Sequence, residues 1–239
     1  TQIFAVRVSV TKRHLKQDSD LHHHANTMEA LSSSAIVLGS RSPRRFELLS
    51  RLIDPARISI VPPTDPTEAD FDDISQLTEI EGRLLAIAEQ KARQVASQLP
   101  GFTGPLLTAD TVVVCRDPRQ SGWKVLGQPP EPEWEEVVRE WFRKFYFGRT
   151  HAVWTALVIR QGERQAIRCV KSEVTMLQED PELLEWYLAT GEPRGKAGGY
   201  GIQGGADVFV ERVEGSLSNI IGLPLRETRA ALRELDVLP

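Results

Sequence analysis

The stretch "AIVLGSRSPRRFELLSRL", residues 35–52, decides the fold class, because it contains the signals of a strand, a turn and a helix in succession. The short apolar run "AIVL" predicts a buried strand. Ser42 is a suitable helix N-cap, and Pro43 suits the first helical position. We therefore predict a helix over "RRFELLSRL" that begins directly after a tight turn.

Two adjacent arginines, Arg44 and Arg45, stand in the first turn of that predicted helix. Cations are mildly unfavourable there, because a helix N-terminus carries partial positive charge. An anion bound at the turn would remove the conflict, and backbone N–H groups with two guanidinium groups and the nearby hydroxyl of Ser40 would form a cradle for it. We expect an anion such as a phosphate to bind here; the alternative is a solvated basic turn.

Strands and helices continue to alternate along the chain, which predicts an α/β class. An amphipathic helix is predicted over residues 77–99, because its apolar residues fall on one stripe. Further helices are predicted over residues 132–147, 180–191 and 225–235, and further strands over residues 106–115, 150–159 and 166–176. The aromatic stripe of residues 132–147 predicts either core packing or a surface that supports a homodimer.

Composition excludes some classes of protein. The chain has 239 residues and a net charge of -4, which argues against a general nucleic-acid binder with a basic face. No apolar run approaches the length of a membrane span. Cys115 and Cys169 lie in strand-like runs and are expected to be reduced core residues. These features favour a cytoplasmic protein.

The N-terminal residues differ from the rest. Residues 1–33 are polar and without hydrophobic period, and we predict a poorly structured extension there, followed by one domain over residues 34–239. Three successive histidines in the extension, residues 22–24, are expected to be incidental.

Three further segments place polar side chains where chemistry needs them. Asp110 interrupts the apolar run "LLTADTVVVC", and a carboxylate there requires a partner or a metal ion; the alternative is a strand-end carboxylate bound by backbone. Lys196 and Gln203 lie in "GKAGGYGIQGG", where glycines would let backbone amides approach an anion or merely form a tight turn. Lys91 on the 77–99 helix would, alone, be a surface lysine.

Together these segments resemble the Maf family of nucleoside triphosphate pyrophosphatases. The resemblance runs from about residue 35 to 235 and rests on several motifs in the family's order: "SPRRFELL", "EQKA", "ADTVV", "GRTHAV", "TGEPRGKAGGYGIQG" and "NIIGLPL". The pairing of "SPRR" with "KAGGYGIQG" is similar to the branch that hydrolyses dTTP and UTP. The implied fold is the inosine triphosphatase-like one: an elongated mixed sheet with flanking helices and two lobes around a central cleft.

The resemblance also implies roles. Asp110 would act as general base or position the water that Mg²⁺ or Mn²⁺ binds. Arg45, Lys91 and Lys196 would bind phosphate, and Arg44 would also influence substrate choice. Thr111 and Gln203 would recognise the base. Glu68 would meet the metal, with four other acids of the same loop as rivals: Asp65, Asp70, Asp72 and Asp73.

One position departs from the family pattern. The motif "LGQPP" places Gln128 where the family usually has a lysine, so one phosphate-binding charge is missing. Lys124 is close in sequence and is a candidate to compensate. The departure supports an alternative hypothesis, a nucleotide-binding regulatory protein with weak or no turnover.

Overall fold

The structure is a computed structural model that describes residues 36–65, 67, 69–118 and 122–239. The predicted N-terminal extension lies outside the described residues. Seven strands form one sheet: β1 (Ile36–Leu38), β2 (Ile58–Ile60), β3 (Leu106–Arg116), β4 (Trp123–Leu126), β5 (Thr150–Gln161), β6 (Arg164–Met176) and β7 (Val210–Glu214).

The sheet is mixed and has the order β2-β1-β3-β5-β6-β7. Strand β1 runs parallel to both β2 and β3. The strands β3, β5, β6 and β7 pair antiparallel in that order. Strand β4 forms an antiparallel hairpin with the end of β3, on the same edge that β1 joins at the start of β3. The predicted α/β class with a mixed sheet is confirmed.

Six α-helices flank the sheet in the described part of the chain: α1 (Pro43–Leu49), α2 (Leu77–Ser97), α3 (Trp134–Trp141), α4 (Pro181–Ala189), α5 (Leu217–Ile221) and α6 (Leu225–Glu234). Helix α1 begins as expected, because the Ser42 side chain accepts a hydrogen bond from the backbone N–H of Arg45. Asp180 caps α4 in the same way, through Leu183. Helix α5 had no separate prediction; it is a single short turn within the "NIIGLPL" segment.

The predicted helix over residues 132–147 has two parts. Regular α-helix covers α3, and residues Phe142–Tyr146 continue as a π-helical turn. Phe142, Phe145 and Tyr146 are buried in the core cluster beneath. The core therefore accounts for these three aromatic residues, and the homodimer stays a prediction.

The two faces of the sheet pack against different helices. On one face, α2 buries its apolar stripe, including Ile80, Leu84 and Val95, against β3 and β5. On the other face, α1 and α6 cover one half, and the aromatic cluster around Phe142 covers the other half. Because side chains alternate along a strand, consecutive residues of β3 reach opposite faces. The consecutive polar residues Asp110 and Thr111 therefore lie on opposite faces of the sheet.

Both cysteines are free thiols, and burial raises the pKa of each. That of Cys169 rises to about 11. Across the described ranges, none of the helices is both long and apolar enough to cross a membrane.

Candidate active site

A cleft opens at an unpaired part of the central strand. Strand β1 pairs with β3 only at Leu106 and Leu107, and β4 pairs with β3 only from Val113 onward. Between them, residues 108–112 have no strand partner on that edge among the described residues. The cleft that lies there has a volume of about 1010 Å³, a size ordinary for a site that holds a small molecule.

The turn after β1 forms one wall of the cleft. Ser40 is buried, and its hydroxyl accepts hydrogen bonds from the backbone N–H of Ser42 and from Nη1 of Arg45, each at 3.2 Å. Arg41 and Arg44 also line this wall. The strand–turn–helix prediction therefore places its arginines at a cleft.

Arg45 connects three segments of the chain. Its Nε donates to the carbonyl of Gly222 at 3.0 Å, Nη1 donates to Ser40, and Nη2 donates to Oγ1 of Thr111 at 3.0 Å. These bonds join α1, β3 and the turn after α5. The guanidinium plane is consequently fixed at the cleft, which Arg45 and Thr111 both line.

Asp110 lies on the opposite face of β3 from Thr111, against α2. Its Oδ1 is 2.6 Å from Nζ of Lys91, and both side chains are largely buried, with 10% and 14% of their surface exposed. Lys91 lines the cleft, and Asp110 is buried beside it. The carboxylate that interrupts the apolar strand thus has a charged partner, and that partner faces the proposed ligand.

The glycine-rich loop forms a second wall and brings Lys196 and Gln203 to the cleft. Gly198 ties the loop to the segment before Gln128, because its N–H donates to the carbonyl of Gly127 at 2.8 Å. The hydroxyl of Tyr146 donates to the carbonyl of Gly198 at 2.7 Å. These bonds fix the loop to the aromatic core.

Lys196 is partly buried. Its Nζ donates to the carbonyl of Glu192 and lies 3.9 Å from Oε1 of the same residue. Burial lowers the pKa of Lys196, the nearby Arg44 lowers it further, and the carboxylate of Glu192 opposes both effects. Lys196 and Arg44 both line the cleft, where their like charges repel each other.

Gln128 also lines the cleft, which places the residue that departs from the family pattern at the site. Lys124 does not line it: its Nζ is 2.6 Å from Oδ1 of Asp72, and that ion pair is exposed. The structure therefore gives the proposed compensation by Lys124 no support.

The acidic loop approaches the cleft through Asp65. A hydrogen bond from the backbone N–H of Thr67 lowers the pKa of Asp65. Asp72 binds Lys124, and Asp73 binds Arg83 at 2.5 Å. Glu68, the predicted metal ligand, lies outside the described residues. Within the described residues, no group of three or more His, Cys, Asp or Glu side chains could hold a metal ion.

Three polar residues of the cleft were not singled out from the sequence: Arg41, Tyr200 and Glu192. Arg41 stands in the same turn as the predicted arginines, and Tyr200 and Glu192 stand in the motif "TGEPRGKAGGYGIQG". Their position within those motifs was the one sequence feature that could have identified them as cleft residues. Their spacing alone did not distinguish them from ordinary turn residues.

The fold and the site together define an α/β protein with a cation-lined cleft suited to an anionic small molecule. A family model described as "Maf-like protein" matches residues 35–235. The chain is 36% identical over 209 residues to a protein of Methylobacillus flagellatus named dTTP/UTP pyrophosphatase, covering 87% of this chain and 96% of that one. The chain belongs to the Maf family.

Other relatives carry the same name. A dTTP/UTP pyrophosphatase of Pyrococcus horikoshii is 37% identical over 191 residues, with 80% of this chain and 91% of that one covered. One from Moorella thermoacetica is 38% identical over 202 residues, with 83% and 94% covered. Among solved structures, a HAM1 protein from Coxiella burnetii aligns with a TM-score of 0.37 and 17% identity, covering 60% of this chain and 73% of that chain.

Proposed function

We propose that this protein hydrolyses nucleoside triphosphates, with dTTP, UTP or modified pyrimidine nucleotides as substrates, to a monophosphate and pyrophosphate. The observation that carries the proposal is the set of five cations around one cleft: Arg41, Arg44, Arg45, Lys91 and Lys196. A nucleoside triphosphate carries about four negative charges, and such a set could neutralise them. The names of the Maf relatives support the same activity.

The cations would act mainly on the transition state. Charge develops on the phosphoryl oxygens as the α–β bond breaks, and positive groups already in position stabilise it without reorganisation. Lys196 and Arg44 both line the cleft, where a bound triphosphate could contact both. Arg45 cannot swing away, because three of its nitrogen atoms bond to protein acceptors.

Asp110 is the candidate catalytic acid–base residue. Its ion pair with Lys91 holds the side chain at the cleft, where it could act as a general base or as a metal ligand. In the proposed reaction Asp110 accepts a proton from the attacking water or holds that water in position. Both roles require the carboxylate rather than an amide.

A divalent cation requires oxygen donors, and this region of the cleft offers carboxylates. Mg²⁺ is usually bound by one or two carboxylates together with substrate phosphates, and Asp65 lines the cleft that Asp110 adjoins. We propose these two residues, with Glu68, as the groups that would hold Mg²⁺ or Mn²⁺. When bound, the ion would supply positive charge and Lewis acidity at the phosphates.

Base recognition is proposed for Gln203 and Thr111. The amide of Gln203 can accept from the N3–H of uracil or thymine while it donates to O4. Thr111 accepts from Arg45 and lies 3.0 Å from the hydroxyl of Thr155, which donates to the carbonyl of Asn219. Thr111 then donates to Thr155 and keeps one acceptor lone pair for the base.

A second candidate, a nucleotide-binding regulator without turnover, is supported by the neutral Gln128 in the cleft. The two candidates separate in one assay of pyrophosphate release from UTP, dTTP, CTP, ATP and GTP, with Mg²⁺ or Mn²⁺ and with EDTA. We expect release from UTP and dTTP to exceed release from the purine nucleotides and to stop with EDTA. Binding of UTP without release would favour the regulator, and a purine preference would contradict the assigned base recognition.

A further inference from the structure

The glycine-rich loop encloses a carboxylate of the protein itself, that of Glu192. This residue follows α4 and lines the cleft. Its Oε2 accepts a hydrogen bond from the backbone N–H of Gly205 at 2.7 Å. Its other oxygen, Oε1, is buried and has no hydrogen-bond partner among the described residues, with Nζ of Lys196 at 3.9 Å.

Three glycines of the loop make room for this carboxylate. A Cβ atom on Gly204 would lie 2.5 Å from Cδ of Glu192. A Cβ on Gly201 would lie 3.2 Å from Oε1, and a Cβ on Gly205 would lie 3.3 Å from Oε2. Any larger residue at position 204 would force the carboxylate out of place. The glycines were expected to admit an anion, and the anion they contact here is Glu192.

Both loop residues with a proposed ligand contact depend on this arrangement. Gln203 lies inside the turn that the N–H of Gly204 closes onto the carbonyl of Gly201 at 3.0 Å. Lys196 is held by the backbone carbonyl of Glu192 and faces its carboxylate. Gly205, at the far side of the same turn, is the residue that Oε2 binds. The side chain of Glu192 therefore both stabilises the turn and faces Lys196.

We propose that Glu192 is a positioning residue that determines base selectivity, because its carboxylate fixes the 201–205 turn and so the place of the Gln203 amide. The inference rests on the proposed function for the identity of the ligand. Glu192 acts through Gly205 and Lys196, and it needs no contact with the reacting atoms. Its loss should therefore reduce discrimination between bases more than it reduces hydrolysis as such.

The test compares Glu192→Ala, Glu192→Gln and Gly204→Ala with the unmodified protein. The measurement is kcat/KM for UTP and for ATP, with thermal unfolding as a check on folding. For Glu192→Ala we expect kcat/KM for UTP to fall about tenfold or more and that for ATP to fall much less, because only the pyrimidine uses Gln203. Glu192→Gln keeps an acceptor for Gly205 and should retain most of the UTP preference.

Gly204→Ala disturbs the same contact from the backbone side and should lower the UTP preference even though Glu192 is present. If Glu192→Ala does not fold, the comparison of Gly204→Ala with Glu192→Gln provides the test. The matched control is Glu131→Gln, which removes an exposed carboxylate 2.8 Å from Arg194 of the same loop. This control should leave both kcat/KM values unchanged.

The role of Glu192 can be tested even if the protein has no hydrolytic activity. If the unmodified protein binds but does not hydrolyse UTP, dissociation constants for UTP and ATP replace kcat/KM, and the same loss of preference is expected. An equal fall for both nucleotides, with the UTP preference intact in Glu192→Ala and Gly204→Ala, would overturn the inference and indicate a direct or purely structural role for Glu192.

Discussion

The pair of Asp110 and Lys91 shows how one residue acquires its properties from a neighbour on another element. A lone carboxylate inside an apolar strand would be costly to bury, and a lone lysine on α2 would be an ordinary surface residue. At 2.6 Å the two opposite charges offset the cost of burying each other. Because Lys91 also lines the cleft, a phosphate would share this lysine with Asp110.

Replacement of Asp110 by Asn tests the assigned chemistry. The amide can neither accept a proton nor bind a cation as a carboxylate does, so turnover of UTP should fall about a hundredfold or more. Pyrophosphate release measures the effect, and circular dichroism confirms the fold. Asp236→Asn, which alters an exposed ion pair with Arg164, serves as the control. Near-normal turnover in Asp110→Asn would exclude this residue from catalysis.

Gln128 offers a test in which activity should rise. It lines the cleft, and a lysine there would add a charge-assisted hydrogen bond to phosphate, which is roughly twice as strong as a neutral one. We expect Gln128→Lys to gain about 1–2 kcal/mol of transition-state stabilisation, or about five- to thirtyfold in kcat/KM.

Lys124→Ala is the companion variant for Gln128→Lys. Since Lys124 binds Asp72 outside the cleft, its removal should leave kcat/KM within about twofold of the unmodified value. A strong loss in Lys124→Ala, together with no gain in Gln128→Lys, would show that Lys124 supplies the missing charge after all.

At the scale of elements, the glycine-rich loop is held by contacts that leave no space for a side chain at Gly198. Gly198 has a φ of +71°, and a Cβ there would lie 2.5 Å from Cγ2 of Val113 and 2.6 Å from the Tyr146 hydroxyl. Gly195 has a similar φ of +66°, yet nothing lies within 4 Å of its Cβ position. A comparison of the two positions therefore distinguishes the effect of backbone strain from the effect of close packing.

Substituting each of these glycines by alanine should give unequal losses of stability. Gly195→Ala brings only the strain of a left-handed backbone, about 1 kcal/mol. Gly198→Ala adds overpacking against β3 and the aromatic core, which typically costs a further 1–3 kcal/mol or so. Urea unfolding measures both. Equal free energies of unfolding for the two variants would show that the loop shifts to accommodate the new methyl group, so that the close contact with Val113 costs no stability.

At the scale of the whole molecule, the site arises from an interruption in the sheet. Strands β1 and β4 lie on the same edge of β3 but leave residues 108–112 uncovered. The turn after β1 and the segment after β4 carry Ser40 and Gln128 into that space. One continuous sheet thus positions the segments that line the cleft. The same sheet contains the buried polar residue His151, which lies on β5.

His151 makes the stability of the fold depend on pH. Its Nε2 is 2.8 Å from the Tyr200 hydroxyl, and burial lowers the pKa of His151 from 6.5 to about 3. The folded protein therefore keeps His151 neutral at pH values where the unfolded chain binds a proton. Its contribution to stability is complete above pH 6.5 and falls as the pH decreases from 6.5 towards 3.

At pH 5 this contribution should be smaller by about 2 kcal/mol than at pH 7.5. We expect His151→Gln to weaken the decline in the free energy of unfolding between those two pH values by about that amount. Urea unfolding of both proteins at each pH gives the comparison, and carboxylate titration cancels because both proteins share it. Parallel declines would contradict the burial of a neutral imidazole.

The sequence alone determined most of the elements, because their signals are local. The cap at Ser42, the apolar stripe of α2 and the cap at Asp180 each depend on residues within a few positions of one another, and each element formed as predicted. The same locality explains the miss at residues 132–147, where spacing alone could not show that packing of Phe142 and Tyr146 would widen the helix into a π-helical turn.

Only the tertiary structure decided which residues meet. Arg45 and Gly222 are 177 positions apart, and no spacing rule predicts their hydrogen bond. The same holds for the pairing of Lys91 with Asp110, for the ion pair that holds Lys124 away from the cleft, and for the carboxylate of Glu192 beneath its glycines. Such contacts depend on how the sheet edge is covered, which is a property of the assembled chain.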